Sequence, residues 1–106
     1  MHLKFNKRVG RTIETGRITV PKKFDSDLDK RKYCPLGISV DVTYILPNGF
    51  KIPGRLYQSE NNSTTYYQFY IIESNDKIKF KNQLINHSTI QLDFVLEDSC
   101  LAIIPM

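Results

Sequence analysis

The sequence has no tryptophan, only two histidines and two cysteines, and five glycines scattered one at a time. Isolated glycines exclude a glycine-rich phosphate loop, which needs clustered backbone N–H groups free of Cβ atoms. A metal-dependent nuclease wants an Asp followed by Glu/Asp-x-Lys, the carboxylates holding Mg²⁺ and the lysine positioning water. Neither Glu-x-Lys nor Asp-x-Lys occurs, because Asp29 and Asp76 directly precede their lysines. His2 is close to the chain terminus and His87 lies in the polar run Ile85-Asn86-His87-Ser88-Thr89, so neither reads as a general base or zinc ligand. Asp93, Glu97 and Asp98 fall at a strand end and a turn. Cys34 and Cys100 have no metal or redox spacing and read as reduced, half-buried thiols. The expectation is a non-catalytic domain with no metal and no cofactor.

Long apolar runs are missing too. No stretch approaches the ~20 residues of a membrane span. Met1 to Arg11 is too charged for a secretory apolar region. The chain therefore reads as cytoplasmic, with no membrane partner, and the Asn-x-Ser/Thr matches at Asn61, Asn62 and Asn86 carry no glycosylation meaning. No linker, repeat or low-complexity tract divides it, so residues 1–106 read as a single domain.

What the chain does have is polarity of charge. The first 32 residues hold ten bases against four acids, a net of +6, while the remaining 74 hold five against seven, a net of −2. Such an imbalance points to an anionic partner at one end, and nucleic acid is the first candidate.

Aromatic and β-branched residues come in short runs separated by turn signals, which predicts an all-β barrel or sandwich of about seven strands. Arg11 to Val20 reads as two strand pieces around a bend at Gly16, ended by Pro21. Asp25 to Lys32 runs acids first and bases last, which complements the dipole of one or two helical turns. Ile38 to Leu46 alternates cleanly, with Ile38, Val40, Val42 and Tyr44 on one face. Pro47-Asn48-Gly49 is a hairpin turn. Phe50 to Tyr57 returns with a bend at Pro53-Gly54, Gln58 to Thr65 reads as a polar loop, and Tyr66 to Ile72 as an aromatic strand. Ser74 to Leu84 fits either a strand or a short capped helix. Gln91 to Val95 and Leu101 to Ile104 close the set.

Duplex recognition needs cations for phosphates and a protruding element to reach base edges. Lys7, Arg8, Arg11 and Arg17 read as a basic N-terminal arm, and arginine can bridge guanine O6 and N7. Gln58, Ser59, Asn61 and Asn62 bring amides suited to adenine and a hydroxyl suited to phosphate.

Arg17-Ile18-Thr19-Val20-Pro21-Lys22-Lys23-Phe24 resembles the Arg-Leu-x-Ile-Pro-Lys signature of the plant B-three DNA-binding domain. The same pseudobarrel occurs in the DNA-recognition (effector) domains of some bacterial restriction endonucleases. The order of later segments fits as well: a strand and Asn-Gly turn, the arginine-bearing strand Arg55-Leu56-Tyr57, a polar loop, an aromatic strand, a short segment and two closing strands. The plant tryptophan segment is absent, and Ser88-Thr89 replaces the plant Gly-Asp, so the bacterial branch is the nearer likeness. The resemblance implies an open all-β pseudobarrel of seven or so strands with one or two short helices. It implies two arms gripping double-stranded DNA in the major groove: Arg11, Thr12, Thr15 and Arg17 on one, Arg55, Gln58, Ser59, Asn61 and Asn62 on the other, with Lys22 and Lys23 on phosphates. It also implies a nuclease part elsewhere, in cis or in trans.

Two other readings use the same residues. Glu14 to Lys22 also looks like the opening of swapped-hairpin (AbrB-type) transcription regulators and antitoxins, which are units of ~50 residues. The cluster Tyr66, Tyr67, Phe69 and Tyr70 suits a protein-interaction module, since alternation leaves Tyr66 and Tyr70 on a face the core does not use.

Overall fold

A computed structural model describes residues 1–106. The chain is mostly β, and its seven strands form one curled sheet that closes into a half-barrel with three short helices. The strands are β1 (His2–Arg8), β2 (Ile18–Thr19), β3 (Val40–Ile45), β4 (Lys51–Asn61), β5 (Thr64–Ile71), β6 (Thr89–Val95) and β7 (Cys100–Pro105). Their order across the sheet is β1-β6-β7-β3-β4-β5-β2. All neighbours are antiparallel except β3 and β7. The helices are α1 (Arg11–Glu14), α2 (Asp25–Arg31) and α3 (Ser74–Gln83), with a 3₁₀ turn at Lys22–Phe24. No helix is long and apolar enough to cross a membrane.

Every strand contributes to one core because each alternates. Leu3 and Phe5, Val42 and Tyr44, Ile52 and Leu56, Phe69 and Ile71, Ile90, Leu92 and Phe94, and Leu101 and Ile103 are all buried. Phe69 and Phe94 meet edge-on with centroids 4.9 Å apart, tying β5 to β6 through the barrel interior. Removing either ring would cost about 3–5 kcal/mol.

Five expectations need correction. Arg11 to Glu14 is a helical turn, not a strand piece. Its one apolar residue, Ile13, is buried, and Gly16 at φ +85° turns the chain into β2. A Cβ at Gly16 would lie 2.4 Å from Ile71 Cδ1, so this position needs glycine for both backbone and space. Lys7 and Arg8 belong to an edge strand rather than a loose arm; Leu3 and Phe5, alternating with Lys4 and Asn6, are the signal that the charge obscured.

Pro53-Gly54 does not bend β4, which runs unbroken to Asn61. Gly54 is there for close approach, because a Cβ would meet the Tyr44 ring at 2.5 Å. Gln58 to Thr65 is likewise no loop. It is the end of the β4–β5 hairpin, turned by Asn62 and Ser63 at φ +50° and +65°. Left-handed geometry at both turn residues matches the twist of the flanking strands. Ile38, expected on the buried face, is 57% exposed because β3 begins only at Val40.

The ambiguous segment is a helix, α3. Phe80 is buried edge-on against Tyr44 (5.8 Å) and Leu84 is buried, while Ile78 points to solvent. A strand would have put Ile78 on the same face as Phe80 and Leu84; the helical period keeps the two core residues together and turns Ile78 away.

Candidate nucleic-acid interface

Alternation gives β5 a second face. Tyr67, Phe69 and Ile71 enter the core, so Tyr66, Gln68 and Tyr70 point outward. Register sets their neighbours: Ser59 beside Tyr66, Tyr57 beside Gln68, Arg55 beside Tyr70, and Thr19 of β2 on the other side of Gln68. These side chains are tied together. Tyr57 Oη donates to Gln68 Oε1 (2.5 Å), and Gln68 Nε2 donates to Thr19 Oγ1 (3.2 Å). Gln68 is the only buried polar residue in the chain, and the two bonds satisfy its amide at both ends. Tyr57 and Tyr70 pack edge to face at 5.1 Å.

Arg17 directly precedes β2 and is exposed beside this pair. With Tyr57, Tyr70, Ile38 and Ser39 it lines a cleft of about 320 Å³. Arg17 enters none of the chain's ion pairs. Arg55 has only Asp41, at 3.4 Å between two exposed side chains. Such a pair is worth little in water and leaves the guanidinium available. Tyr44 pins the segment from below, its Oη donating to the Gly16 carbonyl (2.7 Å). Tyr44 is fully buried, and burial holds its phenol well above the ordinary 10.0.

Beyond this cleft the hairpin stands alone. β3 pairs with β4 only as far as Leu56, and β2 touches β5 no further than Tyr67, whose carbonyl takes the Val20 N–H (2.9 Å). Beyond Gln58 and its partner Tyr67 the arm therefore projects about 10 Å, to Asn61, as a two-stranded ribbon. Ser59 and Asn61 share the outward face of Arg55 and Tyr57, and Asn62 sits at the tip. Gln58 follows Tyr57 and pairs with Tyr67 in register; it borders the Arg17 cleft and also a small groove that holds Asp29, Lys32 and Cys34. There Tyr67 donates to Asp29; burial first, and then this carboxylate, push the Tyr67 phenol up. The Cys34 thiol lies 3.0 Å from the Ile38 carbonyl and 3.2 Å from that of Leu56, and burial raises it too.

The remaining basic residues are dispersed. Arg11, Thr12 and Thr15 are exposed on or just after α1, which joins α3 through the Glu14–Lys81 ion pair (3.7 Å). Thr15 spends its hydroxyl proton locally on the Thr12 carbonyl (2.6 Å). Arg8 is exposed at the end of β1, and Lys7 is half-buried on the core side of the same strand. Lys22 and Lys23 follow β2 at its other end. Lys23 faces a groove shared with Lys4, Asn6 and Gln91, along the seam where β1 and the Pro21 segment approach without pairing. The Lys23 ammonium lies 5.0 Å over the Phe24 ring.

The structure thus brings together Arg17, Arg55, Ser59 and Asn61 on one face and carries Asn62 at its tip, while Gln58 borders both the Arg17 cleft and the groove behind it. It separates Lys22 and Lys23 from that face, and puts Lys7 and Arg8 on the opposite edge strand. Thr19, Tyr57 and Gln68 escaped the sequence reading. Their polar outward period was visible, but what joins them is cross-strand register, which no local pattern reveals. No three His, Cys, Asp or Glu side chains converge where they could hold a metal ion. Compared with family models, with curated proteins and with solved structures, the chain matches none.

Proposed function

We propose that this chain binds double-stranded DNA sequence-specifically, as the recognition domain of a restriction endonuclease whose nuclease part lies elsewhere. One observation carries the binding: two available arginines and the hydroxyl and amide of the arm project from the same face. Arg17 is level with Tyr70 and Arg55, and Asn61 lies six positions beyond Arg55 along β4. The span is about 20 Å at the rise of a strand. A major groove is ~12 Å wide, so a face of this length reaches base edges and a flanking backbone together. Arginine forks then read guanine, Asn61 and Asn62 read adenine, and Ser59 bonds phosphate. The restriction-enzyme assignment rests on the Arg17–Phe24 motif. A sheet running through the whole chain favours this reading over a swapped-hairpin unit of ~50 residues.

The experiment is a mobility-shift selection from random duplexes, followed by Arg17→Ala. The wild-type chain should enrich one motif. The variant should lose about 10- to 100-fold on that duplex and much less on random DNA, the size of one lost bidentate contact. A pool that yields no motif overturns the proposal, and equal losses on both duplexes reduce Arg17 to a phosphate contact.

A further inference from the structure

We infer that the cleft beside Arg17 is a receptor for one unstacked nucleobase together with its phosphate. Three features point to that ligand class. The first is size: about 320 Å³ is at the small end of ligand sites, enough for a single nucleotide. The second is shape. Tyr57 and Tyr70 stand at 80° to each other, so a planar ring stacked on one meets the edge of the other. The Tyr57 ring is held in place before any ligand arrives, because its hydroxyl is bonded to Gln68 and Gln68 in turn to Thr19. The third is charge. Arg17 is an unpaired guanidinium on the wall of the cleft, and no carboxylate lines that cleft. An aromatic cation is disfavoured, and an aromatic anion gains both a stack and a charge-assisted hydrogen bond.

The inference deepens the proposed function, on which it rests only for where the base comes from: a nucleotide extruded from the duplex, or one in a single strand; on a stacked duplex the Arg17 fork reads guanine, and on an unstacked nucleotide it takes the phosphate. The chemistry is tested without that premise. The four deoxynucleoside monophosphates and their nucleosides are titrated into the chain while the tyrosine ring protons are followed by NMR. At least one nucleotide should shift Tyr57 and Tyr70 saturably upfield. Tyr70→Phe should keep the affinity, Tyr70→Leu should lose about tenfold or more, and Arg17→Gln should abolish the preference for nucleotide over nucleoside. Arg17 is exposed, so its variant reports even if Tyr70→Leu does not fold.

Two further arms identify the source. A mixed-sequence single strand that binds with the same Tyr70 dependence points to single-stranded DNA. A duplex bound about tenfold more tightly when one pair is mismatched, again through Tyr70, points to extrusion. Absence of saturable shifts with all four nucleotides, or a Tyr70→Leu chain that binds like the wild type, overturns the inference. Nucleotide binding in a chain that selects no duplex would overturn the proposed function alone.

Discussion

Arg17 and Lys23 belong to the same basic stretch, yet the fold sends them to different grooves. Arg17 joins two tyrosines in a cleft across β2, β5 and β4. Lys23 joins Lys4, Asn6 and Gln91 along the seam beside β1. The two groups differ in what surrounds the charge. At the cleft the cation has ring faces and a bonded amide next to it, elements that distinguish one planar partner from another. At the seam it has a single ring, that of its chain neighbour Phe24, together with another lysine, Asn6, Gln91 and the unpaired edge of β1. Lysines on an open edge blunt it against strand pairing and attract any polyanion without discrimination. Charge density in the sequence is thus a single feature that becomes two in space, one suited to selecting and one to holding.

Three further experiments break or sharpen this contrast, beginning with the largest effect. Gly16→Ala should unsettle the cleft side at its root. A Cβ in the left-handed conformation costs about 1–2 kcal/mol, and pushing it onto Ile71 about 1–3 more. Urea denaturation should show the sum, whereas Gly10→Ala, at φ −146° with nothing within 4 Å, should barely move the midpoint. Equal stability of the two variants would mean that Gly16 does not anchor the turn into Arg17.

Tyr44→Phe comes next, at about 1–3 kcal/mol, because it leaves the Gly16 carbonyl without its partner. It also carries a pH signature. Burial raises the Tyr44 phenol, so the stability gained by keeping it neutral is whole below pH 10.0, its ordinary value. It drains away as pH rises beyond that, while the unfolded chain ionises freely. The stability of Tyr44→Phe should therefore fall less steeply above that pH than the wild type's. Parallel curves would show that Tyr44 does not govern the alkaline limb.

The smallest effect belongs to the seam. Lys22→Ala with Lys23→Ala should weaken binding to all duplexes alike. If each touches a phosphate, the log–log salt slope should fall by about 0.9 per lysine. A change in the selected motif would show instead that the seam reads sequence and that the contrast drawn here is wrong.

Much of the fold is legible in the residues, because strand faces follow a local rule. The alternation of Ile52, Leu56, Phe69 and Ile71 announces the core, and Asn48-Gly49 announces a turn. The failures share a cause. Polar residues at Gln58 to Thr65 resemble a loop only while the partner strand is unknown; once Ser59 pairs with Tyr66 and Asn61 with Thr64, the same residues form a paired arm. Arg11 to Glu14 contains Thr12 and Ile13, good strand residues, yet connecting β1 to β2 required a compact turn, and tertiary context overrode a weak propensity.

By itself, then, the chain dictated which side chains face inward along most strands, the excess of positive charge at its front end and the small number of histidines and cysteines. These depend on residue identity and a period of two, both local. Only the tertiary structure decided that Arg17 meets Tyr57 and Tyr70, that Gln68 links Tyr57 to Thr19, and that Lys23 goes elsewhere. Those neighbours are set by the register of strands distant in sequence, and a slip of one residue would have turned every one of them to the other face.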